Sequence, residues 1–398
     1  MTDKIFELFE KRNTVIIFRP IGGDNVISEL MHLIDMDVSK TEDFIFQYSS
    51  FVTELYLNGT SNLSEYILKA VLESDNLYTY MMTEGKTPDA NMNNCLMNEL
   101  QFFQEVSQLT PEDFTAELEY DGFMPRWEIS DVDIAGSFFE RMRFINHYGF
   151  GKWTKSNMFV LREGEIMPVE HPDKQKLSDL YSYERERQSV IKNILALLDG
   201  KPALNTLLYG DAGTGKSSTV KAIVNEYAEK GLRLIEIKKE QLCNIPDIVS
   251  EISGNPLKFI IFIDDLSFSS GEDGFGALKA MLEGSVSANA ENMIICATSN
   301  RRHLVREKFS DRQGDEIHRN DTMQENLSLS ARFGLRVNFS RPDKKNYISI
   351  VKQLAKADGI DMTEEEISLK AEQFAVSSGN GRSPRTARQF VNMLLSEK

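Results

Sequence analysis

Residues Gly210-Asp211-Ala212-Gly213-Thr214-Gly215-Lys216-Ser217 fit G-x-x-x-x-G-K-[ST], between an apolar run at 204–209 and a helical stretch at 217–230. That context is the one the pattern requires. Glycines let successive backbone N–H groups turn inward, and the following helix adds the positive end of its dipole, so a polyphosphate can be held without base or sugar contacts. Lys216 then reaches the β- and γ-phosphates, and Ser217 offers a hydroxyl to Mg2+. The competing reading is an accidental glycine-rich turn. A chance match is expected in about one or two proteins of this length per hundred, and the flanks reduce that further. Mg2+ held this way needs an acidic anchor from a neighbouring strand. Residues 259–265, Phe-Ile-Ile-Phe-Ile-Asp-Asp, supply one, with Asp264 holding the metal's water shell and Asp265 beside an attacking water. Two acids after a strand could also make a turn, but the spacing from Lys216 favours the metal and base roles.

Elements able to position these groups follow from the hydrophobic pattern. Apolar runs at 204–209, 232–237, 259–263, 293–297 and 335–339 alternate with helical stretches, as strands buried on both faces of a parallel sheet do. The last fifty or so residues return to helix at 344–357, 363–377 and 384–396, the second opened by Thr363-Glu364-Glu365-Glu366 and the third by Ser383-Pro384, a capping box and an Ncap–N1 pair. Before residue 150, stretches at 41–57, 63–72, 91–109 and 132–147 carry apolar residues at three- and four-residue spacing and read as amphipathic helices. Residues 15–18 are either a strand or an extended connection. The polar stretch 162–176 with Pro168 and Pro172 lacks a hydrophobic period, so the domain junction is placed there. The expected organisation is an acidic, mainly helical domain at 1–160, a linker at 161–176, an α/β nucleotide-binding core at 177–342 and a helical lid at 343–398.

Composition narrows the function classes. The chain has 398 residues, 41% hydrophobic and 27% charged, a globular profile too long for one small core. No apolar run approaches the roughly 20 residues of a membrane-spanning helix, and residues 1–12 do not read as a signal peptide. A cytoplasmic protein is expected. Cys95, Cys243 and Cys296 form no Cys-x-x-Cys pair, and the five histidines show no metal-ligand spacing, so neither a disulfide framework nor a zinc site is indicated. Residues 1–170 hold 29 acidic against 13 basic residues, while 171–398 hold 32 of each, so the formal charge of −16 lies wholly in the first part. Such a surface repels phosphates, and a protein partner is expected there rather than nucleic acid.

The residues from about 175 onward resemble an AAA+ ATPase, and most closely a bacterial family of AAA+ ATPases catalogued as a domain of unknown function. The likeness rests on Leu207-Leu208-Tyr209 before the phosphate loop, Arg233-Leu234-Ile235-Glu236, and Asp264-Asp265-Leu266-Ser267-Phe268. It extends through Ala297-Thr298-Ser299-Asn300-Arg301-Arg302-His303-Leu304, Leu327-Ser328-Leu329-Ser330 with Arg332-Phe333-Gly334-Leu335, and Arg385-Thr386-Ala387-Arg388-Gln389-Phe390. The resemblance implies a five-stranded parallel P-loop NTPase sheet with a C-terminal helical lid. It implies ATP and Mg2+ as ligands, with nucleotide contacts from Gly210, Asp211, Ala212, Gly213, Thr214, Gly215, Lys216, Ser217 and Ser218. Tyr183, with Tyr181 and Ser182, falls where this superfamily packs on adenine.

The same resemblance implies that Asn300 orients the hydrolytic water or γ-phosphate, and that Arg332 is an arginine finger reaching a neighbouring subunit's ATP. Arg385 would be the lid arginine at the γ-phosphate, with Arg388 as its competitor. A cation at a helix start opposes the macrodipole, which favours an anionic partner for Arg385. Two departures matter. The strand ends in Asp264-Asp265 where the superfamily usually has Asp-Glu, so hydrolysis is expected to be slow, and no aromatic-flanked glycine loop of a protein-threading ring follows residue 237. The polar connection 301–330 mixes Arg301, Arg302, Arg306, Lys308, Arg312 and Arg319 with acids, which reads as a solvated loop before a partner contact. The leading expectation is an ATPase that forms homo-oligomers with ATP and drives a switch or remodelling of a protein client carried by the N-terminal domain. The alternative is a nucleotide-gated assembly or loading factor with little turnover, acting on other proteins or on DNA.

Overall fold

The computed structural model describes residues 3–269, 273–282, 291–300, 305–306 and 329–397. Two compact units divide the chain between Lys155 and Ser156.

The described elements of the first unit are helices, from Asp3–Arg12 to the 3-10 turn Gly151–Thr154, joined by irregular segments and one isolated bridge between Asn62 and Glu128. The expected helix at 41–57 is Thr41–Leu57, and that at 63–72 is Leu63–Glu73. Asp24, Asn62, Asn76, Asp89, Thr110 and Asp133 each accept a backbone N–H of the helix they open, satisfying donors that a helix start leaves unpaired. Trp127 centres the core, with Tyr48, Phe51 and Phe114 rings at 5.3, 5.0 and 5.8 Å. Residues 15–18 form no strand. Their backbone ends instead on a buried carboxylate: Ile16, Ile17 and Phe18 donate N–H groups to Glu99 at 2.9 to 3.0 Å. That pairing lets polar backbone enter the core.

The second unit is built on strands β1 (Met158–Arg162), β2 (Glu165–Pro168), β3 (Thr206–Gly210), β4 (Lys-free run Leu232–Ile237), β5 (Lys258–Ile263), β6 (Phe268–Ser269), β7 (Met293–Ser299), β8 (Val305–Arg306) and β9 (Leu335–Phe339). The main sheet runs β2-β1-β4-β5-β7-β3-β9, and β6 pairs with β8 apart from it. All main-sheet neighbours are parallel except β1 with β2. The five expected strands are therefore present and contiguous, and this is a P-loop NTPase sheet. Its strand count is seven, not five.

The two added strands lie in the stretch placed at the end of the first domain and in the linker. Glu163 and Gly164, with φ of 51° and 88°, turn β1 into β2, a conformation typical of tight hairpins. Phe159, Leu161 and Ile166 are buried, and β1 pairs with β4 from Met158↔Leu234. The strands are too short for a period to show, and Pro168 is tolerated because β2 is an edge. Three helices, Lys344–Ala357, Glu364–Ser377 and Pro384–Ser396, close the chain around their own core of Tyr347, Ile350, Leu354 and Phe390. No helix among the described residues is long and apolar enough to cross a membrane.

Candidate nucleotide site

β3 lies between β7 and β9 while the chain next enters β4, three strands away beyond β7 and β5. At such a switch in direction the carboxyl ends of the strands leave a crevice. The phosphate loop fills it. Gly210 has φ of 135°, and a Cβ there would lie 2.2 Å from the Phe339 carbonyl oxygen, so close approach of β9 requires glycine at this position. Gly213 and Gly215 also have left-handed backbone, and the helix Lys216–Tyr227 starts directly behind them.

Lys216 is 6% exposed. Its Nζ donates to the carbonyls of Gly210 and Asp211 at 2.9 and 2.7 Å and to Asn300 Oδ1 at 3.1 Å. Burial lowers its pKa, opposed by the nearby Asp211, Asp265 and Asp264 carboxylates. Ser217 Oγ donates to Asp264 Oδ1 at 2.6 Å. Asn300 turns its amide nitrogen to Asp265 Oδ1 at 2.7 Å, so one side chain joins the lysine to the second acid. Sheet pairing of β5 with β7 brings these groups together across 35 to 84 positions of sequence.

Thr298 completes the cluster and was given no role from sequence. Its hydroxyl donates to Asp264 Oδ1 at 2.5 Å and accepts the Asp265 N–H at 2.9 Å. It thereby fixes the Asp264 carboxylate and the Asp265 backbone, the latter in a left-handed conformation with φ of 50°. The signal available was position alone: it lies two residues before Asn300 at the end of the neighbouring strand. Asp211 accepts the Arg341 backbone N–H at 3.0 Å and sits 3.4 Å from its guanidinium, which ties the loop to the segment entering the lid.

The cavity beside the loop has a volume of about 520 Å³, within the usual range for small-molecule sites. Ala212, Gly213, Thr214, Gly215, Lys216, Ser217 and Ser218 line it, as do Asp264, Asp265, Thr298 and Asn300. On the lid side stand Arg385 and Arg388. The Arg385 N–H donates to the Gly213 carbonyl at 3.1 Å, which docks the last helix on the loop. Arg388 is engaged with Asp358 at 2.6 Å. Tyr181 and Tyr183 form part of the wall. Tyr183 stacks on Phe339 at 5.3 Å and donates its hydroxyl to the Ser340 carbonyl at 2.7 Å, and burial pushes its phenol pKa up. Arg332 does not line this cavity. Of the connection 301–330, Arg301, Arg302, Lys308, Arg312 and Arg319 lie outside the described residues, and Arg306 ends β8.

Several known proteins are similar to parts of this chain. The replication factor C large subunit of Staphylothermus marinus is 31% identical over 118 residues, covering 27% of each chain. That of Methanococcus maripaludis is 27% identical over 135 residues, 32% of this chain and 26% of the relative. The chain thus spans about a quarter of the length of these relatives. Among solved structures, the RuvB Holliday junction branch migration motor of Thermotoga maritima aligns at 16% identity and a TM-score of 0.37, covering 55% of this chain and 63% of that one. Residues 153–398, the whole of the second unit and the last three residues of the first, match the family described as "Protein of unknown function (DUF815)". With its phosphate loop, strand-end acids and sheet order in place, the chain is an AAA+ protein and belongs to that family.

Proposed function

We propose that the second unit binds ATP with Mg2+ and hydrolyses it slowly, as a conformational switch acting on a protein client. The observation that carries this reading is the hydrogen-bonded set of Lys216, Asn300, Asp265, Thr298, Asp264 and Ser217 at one wall of the cavity. Lys216 would exchange its carbonyl partners for phosphate oxygens, a stronger charge-assisted contact. Asp265 would hold the attacking water and take its proton, with Asn300 orienting it. Ser217 and Asp264 offer hard oxygen donors 2.6 Å apart, which fits Mg2+ sharing its shell with water and phosphate. No cluster of three His, Cys, Asp or Glu among the described residues could hold a metal by itself. Bound there, Mg2+ would neutralise charge on the phosphate oxygens.

Arg385 is the better candidate for the γ-phosphate, because Arg388 already pairs with Asp358. Since the first turn of its helix rests on Gly213, nucleotide occupancy and lid position are mechanically linked. Arg332, away from its own chain's cavity, is assigned to a neighbouring subunit's site, which makes a homo-oligomer part of the proposal. The client is assigned to the acidic first unit.

One observation favours the low-turnover alternative: Asp265 is a short acid already engaged by Asn300. Steady-state phosphate release separates the readings. Turnover above an Asp264→Ala control supports the ATPase. ATP binding that depends on Lys216 without such turnover supports a nucleotide-gated assembly or loading factor. The names of the replication factor C and RuvB relatives make duplex DNA a necessary arm of that test. Stimulation by DNA would overturn the expectation of a protein client alone.

A further inference from the structure

We propose that a groove on the first unit docks a basic amphipathic helix of a protein client. This deepens the client reading above and rests on it. The helix Asp3–Arg12 buries Ile5 and Leu8 at 1% exposure, yet leaves Phe6 57% and Phe9 36% exposed, one turn apart. Both phenylalanines line a groove of about 710 Å³ whose floor includes buried Ile34 and the half-buried Met36 and Val38. Large apolar side chains beside a concave surface, rather than scattered singly, mark an interaction site.

The rim decides what fits. Asp35, Asp37, Glu117 and Glu119 line the groove; among the described residues no lysine or arginine lines it, and Arg12 beside it lies over the Phe9 ring at 5.0 Å. Asp35 pairs with Arg12. Asp37 accepts the Ser39 backbone N–H at 3.0 Å, which orients its carboxylate in the turn at the groove's edge. An apolar floor within an anionic rim is complementary to a helix that presents leucine-like side chains at three- and four-residue spacing between lysines or arginines. The surplus of acidic residues in this part of the sequence would speed encounter with such a partner. Nucleic acid, anionic lipid and a second copy of the same face all bring like charge to the rim.

The test uses the full chain and a fluorescent 14-residue peptide of leucine and lysine with amphipathic helical spacing, compared with its counterpart carrying glutamate for every lysine. Micromolar binding of the lysine peptide alone is expected. Phe6→Ala combined with Phe9→Ala should weaken it at least about tenfold, and Asp37→Lys with Glu119→Lys about three- to tenfold. Glu365→Lys, an exposed acid of the lid, should leave it unchanged. Equal binding by the phenylalanine variant, or an equal loss from Glu365→Lys, overturns the proposal. So does capture of anionic vesicles, duplex DNA or a second chain through Phe6 and Phe9. Should the phenylalanine variant misfold by circular dichroism, the charge variant decides. Phosphate release measured in parallel separates the two readings. Turnover without peptide binding removes the groove alone, and peptide binding without turnover removes the ATPase alone.

Discussion

Glu99 in the first unit and Lys216 in the second are both buried ions held mainly by backbone, and they serve opposite ends. Glu99 is 4% exposed and accepts N–H groups of three consecutive residues inside a packed helical core. Each of its oxygens accepts two of these hydrogen bonds. Lys216 is 6% exposed but borders a cavity, holding two carbonyls and one amide oxygen. Burial costs both groups hydration. Only the lysine can recover more by changing partners, and that difference separates architecture from a binding group.

The sharpest way to break this contrast is Glu99→Ala, which strands the buried Ile17 and Phe18 donors and frees that of the exposed Ile16. Its expected cost is about 3 to 5 kcal/mol, read as early unfolding of the first unit in a urea titration. ATP affinity measured below that transition should stay within about twofold. An equal loss of ATP binding would end the distinction. Lys216→Ala should do the reverse, weakening ATP binding at least about 100-fold by calorimetry, close to 2.7 kcal/mol, with the first unit's unfolding unchanged. Thr298→Val keeps shape but removes the hydroxyl that holds the Asp264 carboxylate and the Asp265 backbone N–H. It should lower phosphate release about tenfold, roughly one charge-assisted hydrogen bond, with ATP affinity nearly unchanged. Thr298→Ser should restore most of the rate, and failure of that rescue would assign Thr298 to packing.

The smallest effect concerns Glu73, whose pKa burial raises above 4.5 against the pull of Lys69, Arg141 and Lys155. A raised carboxyl binds protons more tightly in the folded state, so its contribution is full below 4.5 and is lost as pH rises through the folded value. Glu73→Gln should flatten the first unit's stability between those two pH values. A melting temperature with unchanged pH dependence there would show that another group titrates.

Sequence by itself determined the phosphate loop, because eight contiguous residues carry its whole conformational requirement. Gly213 and Gly215 have left-handed backbone, and Lys216 opens the helix behind them. It also determined the five buried strands and the three lid helices, whose lengths let hydrophobic periodicity and caps speak. The helix Pro384–Ser396 begins where Ser383 caps it.

Tertiary structure decided the rest. The edge hairpin Met158–Pro168 has too few residues for a period and gains its order from pairing with β4. Thr298 is an ordinary strand residue until β7 lies beside β5 and its hydroxyl meets Asp264 and Asp265. Arg385 and Arg388 are one helical turn apart and equivalent in pattern, and they are told apart by Asp358, thirty residues before Arg388, and by the Gly213 carbonyl that accepts the Arg385 N–H. Local geometry is encoded in neighbouring residues; partner choice is encoded in which strands and helices come to lie side by side.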